Sequence, residues 1–125
     1  MKKILLTTTY LSIISASLMA ETFNFTCKPP VGFIGNSFST TGTIDKDTKK
    51  GILKNLQLDD GMGNNISYES LDVEVVYDDY DMRYLSLKSD KNEFQLIYIK
   101  LFQSYSNINY NGIHGRVYDS FCTKN

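Results

Sequence analysis

The chain has 125 residues, 42 % hydrophobic and 13 % aromatic, with 13 basic against 14 acidic side chains and a formal charge of −1. That length suits one domain with little surplus for a second. Arg83 and Arg116 are its only arginines, and a mildly acidic chain without a basic face lacks the footprint that phosphate recognition requires, which argues against nucleic acid and anionic membrane surfaces as partners.

Lys2 and Lys3 open the chain and are followed by the uncharged, mostly apolar stretch from Ile4 to Met19, softened by Thr7, Thr8, Thr9 and Ser12. This is the pattern of an export signal. It is too short and too rich in hydroxyls for a membrane span, which takes about 20 predominantly apolar residues. The expected cut lies between Ala20 and Glu21, with a cut after Ser17 as competitor, so residues 1–20 are read as a signal peptide and 21–125 as one β domain. Loss of Lys2 and Lys3 takes the formal charge from −1 to −3. No cysteine stands at the junction to carry a lipid. The mature protein is therefore expected to be periplasmic or secreted, with no membrane anchor after cleavage.

From Glu21 onward the pattern changes to a period of two, which is the signature of strands with one buried face. Phe23, Phe25 and Cys27 alternate with Thr22, Asn24 and Thr26. Leu71, Val73, Val75 and Tyr77 do the same against Asp72 and Glu74. Weaker strands are predicted over Phe38–Ile44, Ile52–Leu58, Met82–Lys88, Glu93–Phe102 and Ile113–Cys122. In the run from Leu96 to Phe102, Ile97, Tyr98 and Ile99 favour a strand over a short helix. Turn chemistry separates these segments: Asp45 to Gly51, with Gly51 free to take a positive φ, then Asp59 to Asn65, Ser89 to Asn92 and Asn107 to Gly112. About seven short strands without a helical pattern predict an all-β fold, a small antiparallel β-sandwich or β-barrel.

Cys27 and Cys122 are the only cysteines. In an exported protein two cysteines most simply bond to each other, here tying the first strand to the last. No C-x-x-C spacing is present to activate a thiol for redox work.

The densest polar cluster is Asp78, Asp79, Tyr80 and Asp81. It can present an anionic knob to a basic partner or serve as a solvated turn, and it lacks the staggered ligands and Gly turn of a calcium loop. Asp45-Lys46-Asp47 and Asp59-Asp60-Gly61 also fail the calcium template. His114 is the sole histidine, without a nucleophile elbow or the ligands of a zinc site. Asp78, Asp81 and Glu93 are the carboxylates from which a glycosidase-type pair could be drawn. Tyr80, Tyr84, Tyr105 and Tyr110 fall near loops or polar residues, where tyrosine offers large contact area at low entropic cost. No motif calls for a metal or cofactor.

The order of an early cysteine strand, a compact β body and a late cysteine is loosely similar to the bacterial periplasmic inhibitors of c-type lysozyme. The Trp-containing, glycine-punctuated segment of that family has no counterpart in this Trp-free chain, so no residue role is carried over. The functional expectation is a small exported, non-catalytic binding module for an unknown protein or small ligand. Its sharpest version is an inhibitor of a basic secreted enzyme that engages its partner through Asp78, Asp79, Tyr80 and Asp81. The alternatives are a small envelope hydrolase using loop carboxylates and a structural component of the cell surface.

Overall fold

The computed structural model describes residues 21–79, 81–101, 104–111 and 116–125. Eight strands follow one another: β1 (Thr22–Lys28), β2 (Ser37–Asp45), β3 (Lys50–Asp59), β4 (Asn65–Asp79), β5 (Tyr84–Ser89), β6 (Phe94–Lys100), β7 (Ser106–Tyr110) and β8 (Arg116–Lys124). Each pairs antiparallel with the next, and β8 returns to β1, so the sheet closes into an eight-stranded barrel. Of the two expected architectures, sandwich and barrel, the barrel is the one formed.

Alternation builds it. In β1, Phe23, Phe25 and Cys27 are buried while Thr22, Asn24 and Lys28 are exposed. Ile44, Leu53, Leu58, Leu71, Leu85, Ile97, Ile99 and Ile108 fill the same interior from the other strands. Outward positions carry Thr41, Thr43, Lys54, Gln57, Asp72, Glu74 and Lys88. An apolar interior and a charged exterior reverse the arrangement of a lipid-spanning barrel.

The eighth strand is β7, whose sequence Ser-Asn-Ile-Asn-Tyr falls in the stretch expected to turn between Asn107 and Gly112. Ser106, Ile108 and Tyr110 face inward, and Asn107 on the outer face donates to the Asp119 carboxylate at 2.6 Å. Ser106 is buried because its hydroxyl accepts from the Lys100 amide at 2.8 Å.

Three irregularities let long strands curve around so small a core. Asn55 and Leu56 oppose Thr40 between β3 and β2, Val76 is extra in β4 against β5, and Gln95 is extra in β6 against β7. At the first, Asn55 takes a φ of 51° and the buried Thr40 hydroxyl donates to the Lys54 carbonyl at 2.8 Å. Gly51 stands inside β3 rather than at a positive φ, and its expected turn role passes to Lys49, with φ 63°. Glycine is needed at 51 for space, since a Cβ there would meet the Thr43 carbonyl and Ile44.

The Cys27–Cys122 disulfide is formed between residues directly opposite each other in the β1/β8 register. In this meander the β1–β2, β3–β4, β5–β6 and β7–β8 connections share one end, the upper end. The β2–β3, β4–β5 and β6–β7 connections and both ends of the described chain share the lower one.

Candidate functional site

The acidic run lies at the lower end. Asp78 and Asp79 are strand residues, opposite Leu85 and Tyr84 in the β4/β5 register, and only Asp81 stands in the turn, at φ 57°. This corrects the expectation of a four-residue acidic loop. Tyr80 lies outside the described residues. The neighbouring β2–β3 hairpin answers the charge: Lys49 Nζ is 3.7 Å from Asp78 and Lys46 Nζ is 3.8 Å from Asp81. Exposed pairs at such distances stabilise little, yet they offset the anionic field that a basic partner would sense.

The carboxylates proposed as a catalytic pair do not meet. Asp78 and Asp81 are at the lower end, whereas Glu93 precedes Phe94 at the start of β6, at the upper end. The span of β6 separates them by about 20 Å, far beyond the roughly 10 Å limit of a glycosidase pair. His114 lies outside the described residues.

At the upper end Glu93 accepts a hydrogen bond from the Tyr68 hydroxyl at 3.1 Å, and Tyr68 and Tyr110 hydroxyls are 2.9 Å apart. Tyr68, Phe94, Tyr110 and Tyr118 form a chain of edge-on rings with centroids 5.1 to 6.3 Å apart. Burial, followed by the bonds to Tyr110 and Glu93, pushes the Tyr68 hydroxyl well above the usual tyrosine range. Tyr110 is thus a core residue and not an exposed contact residue, whereas Tyr105 remains half exposed.

Beside these rings a cavity of about 290 Å³ is lined by Asp60, Asn64, Asn65, Ile66, Tyr110, Arg116 and Tyr118. Asp60 accepts from the Met62 and Asn64 amides at 2.8 and 3.1 Å and from the Asn64 side chain at 2.8 Å. The Asn64 side chain, then the Met62 amide, hold its carboxyl below the usual range, and Arg116 stands 3.6 Å away. The carboxylate is spent on folding its own turn, the reading the failed calcium template supports. Among the described residues no cluster of three metal-ligating side chains occurs.

The feature that stands out at this end is two connections, 29–36 and 60–64. Their backbones touch at glycines: a Cβ on Gly61 would lie 3.0 Å from the Gly35 carbonyl oxygen. The chain neighbours of those glycines point into solvent. Ile34 is 93 % and Met62 85 % exposed, with Val31 at 106 % on the same first connection. Phe33 reaches Tyr105 of the β6–β7 connection edge-on, with centroids 6.2 Å apart, so the 29–36 connection leaves the upper rim and folds back along β1 and β8, where a groove of about 470 Å³ is lined by Thr26, Pro30, Val31, Tyr105 and Phe121. Of these residues only Tyr105 was expected to offer contact area. The available signal is Pro-Pro-Val-Gly-Phe-Ile-Gly at 29–35, where apolar residues sit between turn formers with no strand period to bury them.

Compared with protein-family models, curated proteins and solved structures, the chain matches none.

Proposed function

We propose that the mature chain is an exported, non-catalytic binding module that grips a protein partner with the apolar tips of its upper end. The observation that carries this reading is the exposure of Ile34 and Met62 next to the glycines at which the two connections touch, with Val31 left in water on the first of them. Single exposed apolar residues are ordinary, but several on two connections that touch each other mark an interaction site. An inhibitor is the sharpest form: the 29–36 connection enters a partner's cleft, and the net charge of −3 favours approach to a basic enzyme.

The test is co-purification from a periplasmic extract with the mature protein and a Val31→Ser/Ile34→Ser/Met62→Ser variant. Because all three side chains are exposed, the variant is expected to keep its melting temperature while losing the captured partner. Undiminished capture would move the contact surface elsewhere. Intact mass of exported material, expected to begin at Glu21, tests the address.

A further inference from the structure

The barrel does not close along its whole height. β4 runs for 15 residues and pairs with β3 from Asn65 to Glu74, but it pairs with β5 only from Val73 to Asp79. On the side away from β3, no described strand pairs with Asn65–Asp72. Successive residues of an antiparallel strand direct their N–H and C=O groups to alternate sides, so roughly four of these residues turn backbone donors and acceptors to a side where no described strand pairs with them. The gap beyond them is filled by the rings of Tyr68, Phe94 and Tyr110, which keep water from the core without supplying a backbone partner.

An edge of this kind is a template for one class of ligand, an extended chain. Its side chains narrow the class. Glu69 and Asp72 are exposed on this segment, and neither forms an ion pair with a described residue. Past Asp72 the surface continues into a groove of about 590 Å³ to which Asp45, Glu74 and Asp90 contribute carboxylates against Lys50 and Lys88. We propose that the upper edge of β4 accepts an extended peptide segment of a protein partner as a ninth strand, with lysine or arginine at the positions beside Glu69 and Asp72. This rests on the binding-module reading and specifies what the partner presents.

A second copy of the chain fits less well. Two-fold antiparallel pairing of identical edges places the same short acidic segment against itself, and like charges on facing strands repel. The free edge is about 27 Å long, enough for an ordinary strand.

The probe is a synthetic octapeptide of valine and threonine carrying two lysines three positions apart, titrated into isotope-labelled mature protein. Two analogues are N-methylated on one or the other set of alternate residues. The expected result is amide shifts and slowed exchange confined to 65–72 and their neighbours. Glu69→Gln/Asp72→Asn and one of the two methylated peptides are each expected to lose about tenfold or more in affinity. Equal binding of all three peptides would reduce the contact to charge attraction and overturn the proposal. So would a concentration-dependent dimer whose amides are already protected at 65–72. Peptide binding lost with partner capture intact removes only the edge, and capture that ignores the triple Ser variant with peptide binding intact removes only the apolar tips.

Discussion

Tyr68 has one hydroxyl proton and gives it to Glu93, which leaves its oxygen to accept from Tyr110. The chain of donors holds only while every phenol is protonated. Burial and these two bonds raise the Tyr68 pKa in the folded protein above its unfolded value of about 10, and burial raises Tyr118 in the same direction. The unfolded chain therefore releases these protons first as pH rises. Their contribution to stability is complete below pH 10 and shrinks as pH climbs toward the folded pKa. Urea unfolding of wild type is thus expected to show stability falling steadily above pH 10. Tyr68→Phe should start about 1 kcal/mol lower at pH 7, for the lost hydrogen bond, and then fall less steeply, with Tyr118 supplying the remaining slope. Parallel slopes for the two proteins would remove Tyr68 from the titration.

At the scale of the strand, Asn55 decides how β3 turns the corner of the barrel. It is exposed, it occupies a positive φ, and the residues on either side of the Lys54–Asn55 pair, Leu53 and Leu56, are both buried. Without the irregularity one of those leucines would face water. A β-branched residue resists this conformation, so Asn55→Val is expected to cost about 1–2 kcal/mol by urea denaturation, and Asn55→Gly to cost nothing or stabilise slightly. An unchanged midpoint for the valine variant would mean that the backbone has relaxed at no cost. The same residue shows where the sequence stops being readable. Strict alternation exposed β1 and the middle of β4, because Phe23, Phe25, Leu71 and Val73 each have polar neighbours. It was blind to β7, where Asn107, which donates to Asp119, and Asn109 resemble turn formers. It was equally blind to the upper half of β4, where Glu69 and Ser70 are both exposed and break the period. The acidic run caught the eye because charges are adjacent in sequence. The apolar tips did not, because the segments carrying Ile34 and Met62 are joined only by an approach of Gly35 and Gly61, 26 positions apart.

For the molecule as a whole, seven of the eight pairings that make the ring join strands adjacent in sequence, and one brings β8 to β1. That last pairing is the one with the largest loop to close, and the disulfide sits on it, with Cys27 and Cys122 separated by 95 positions and their Cα atoms by 4.0 Å. In the chain-entropy account a cross-link over such a loop stabilises by roughly 4–5 kcal/mol through the unfolded state. A domain of this size has a total stability of about 5–15 kcal/mol, so the bond is a large part of what keeps the ring shut. Replacing both cysteines by alanine would confuse two effects, since Cys27 and Cys122 are 1 % and 2 % exposed and their sulfurs also fill space in the core. Reduction of the wild-type protein separates them, because the sulfur atoms remain while the cross-link is lost. Reduction is expected to lower stability by about 4 kcal/mol with little change in the far-UV spectrum at low temperature. Cys27→Ala/Cys122→Ala should fall further, by roughly 1–2 kcal/mol for the space vacated. If reduction costs under about 1 kcal/mol while the alanine pair costs several, the bond matters as core packing, and closure rests on the β1/β8 ladder alone.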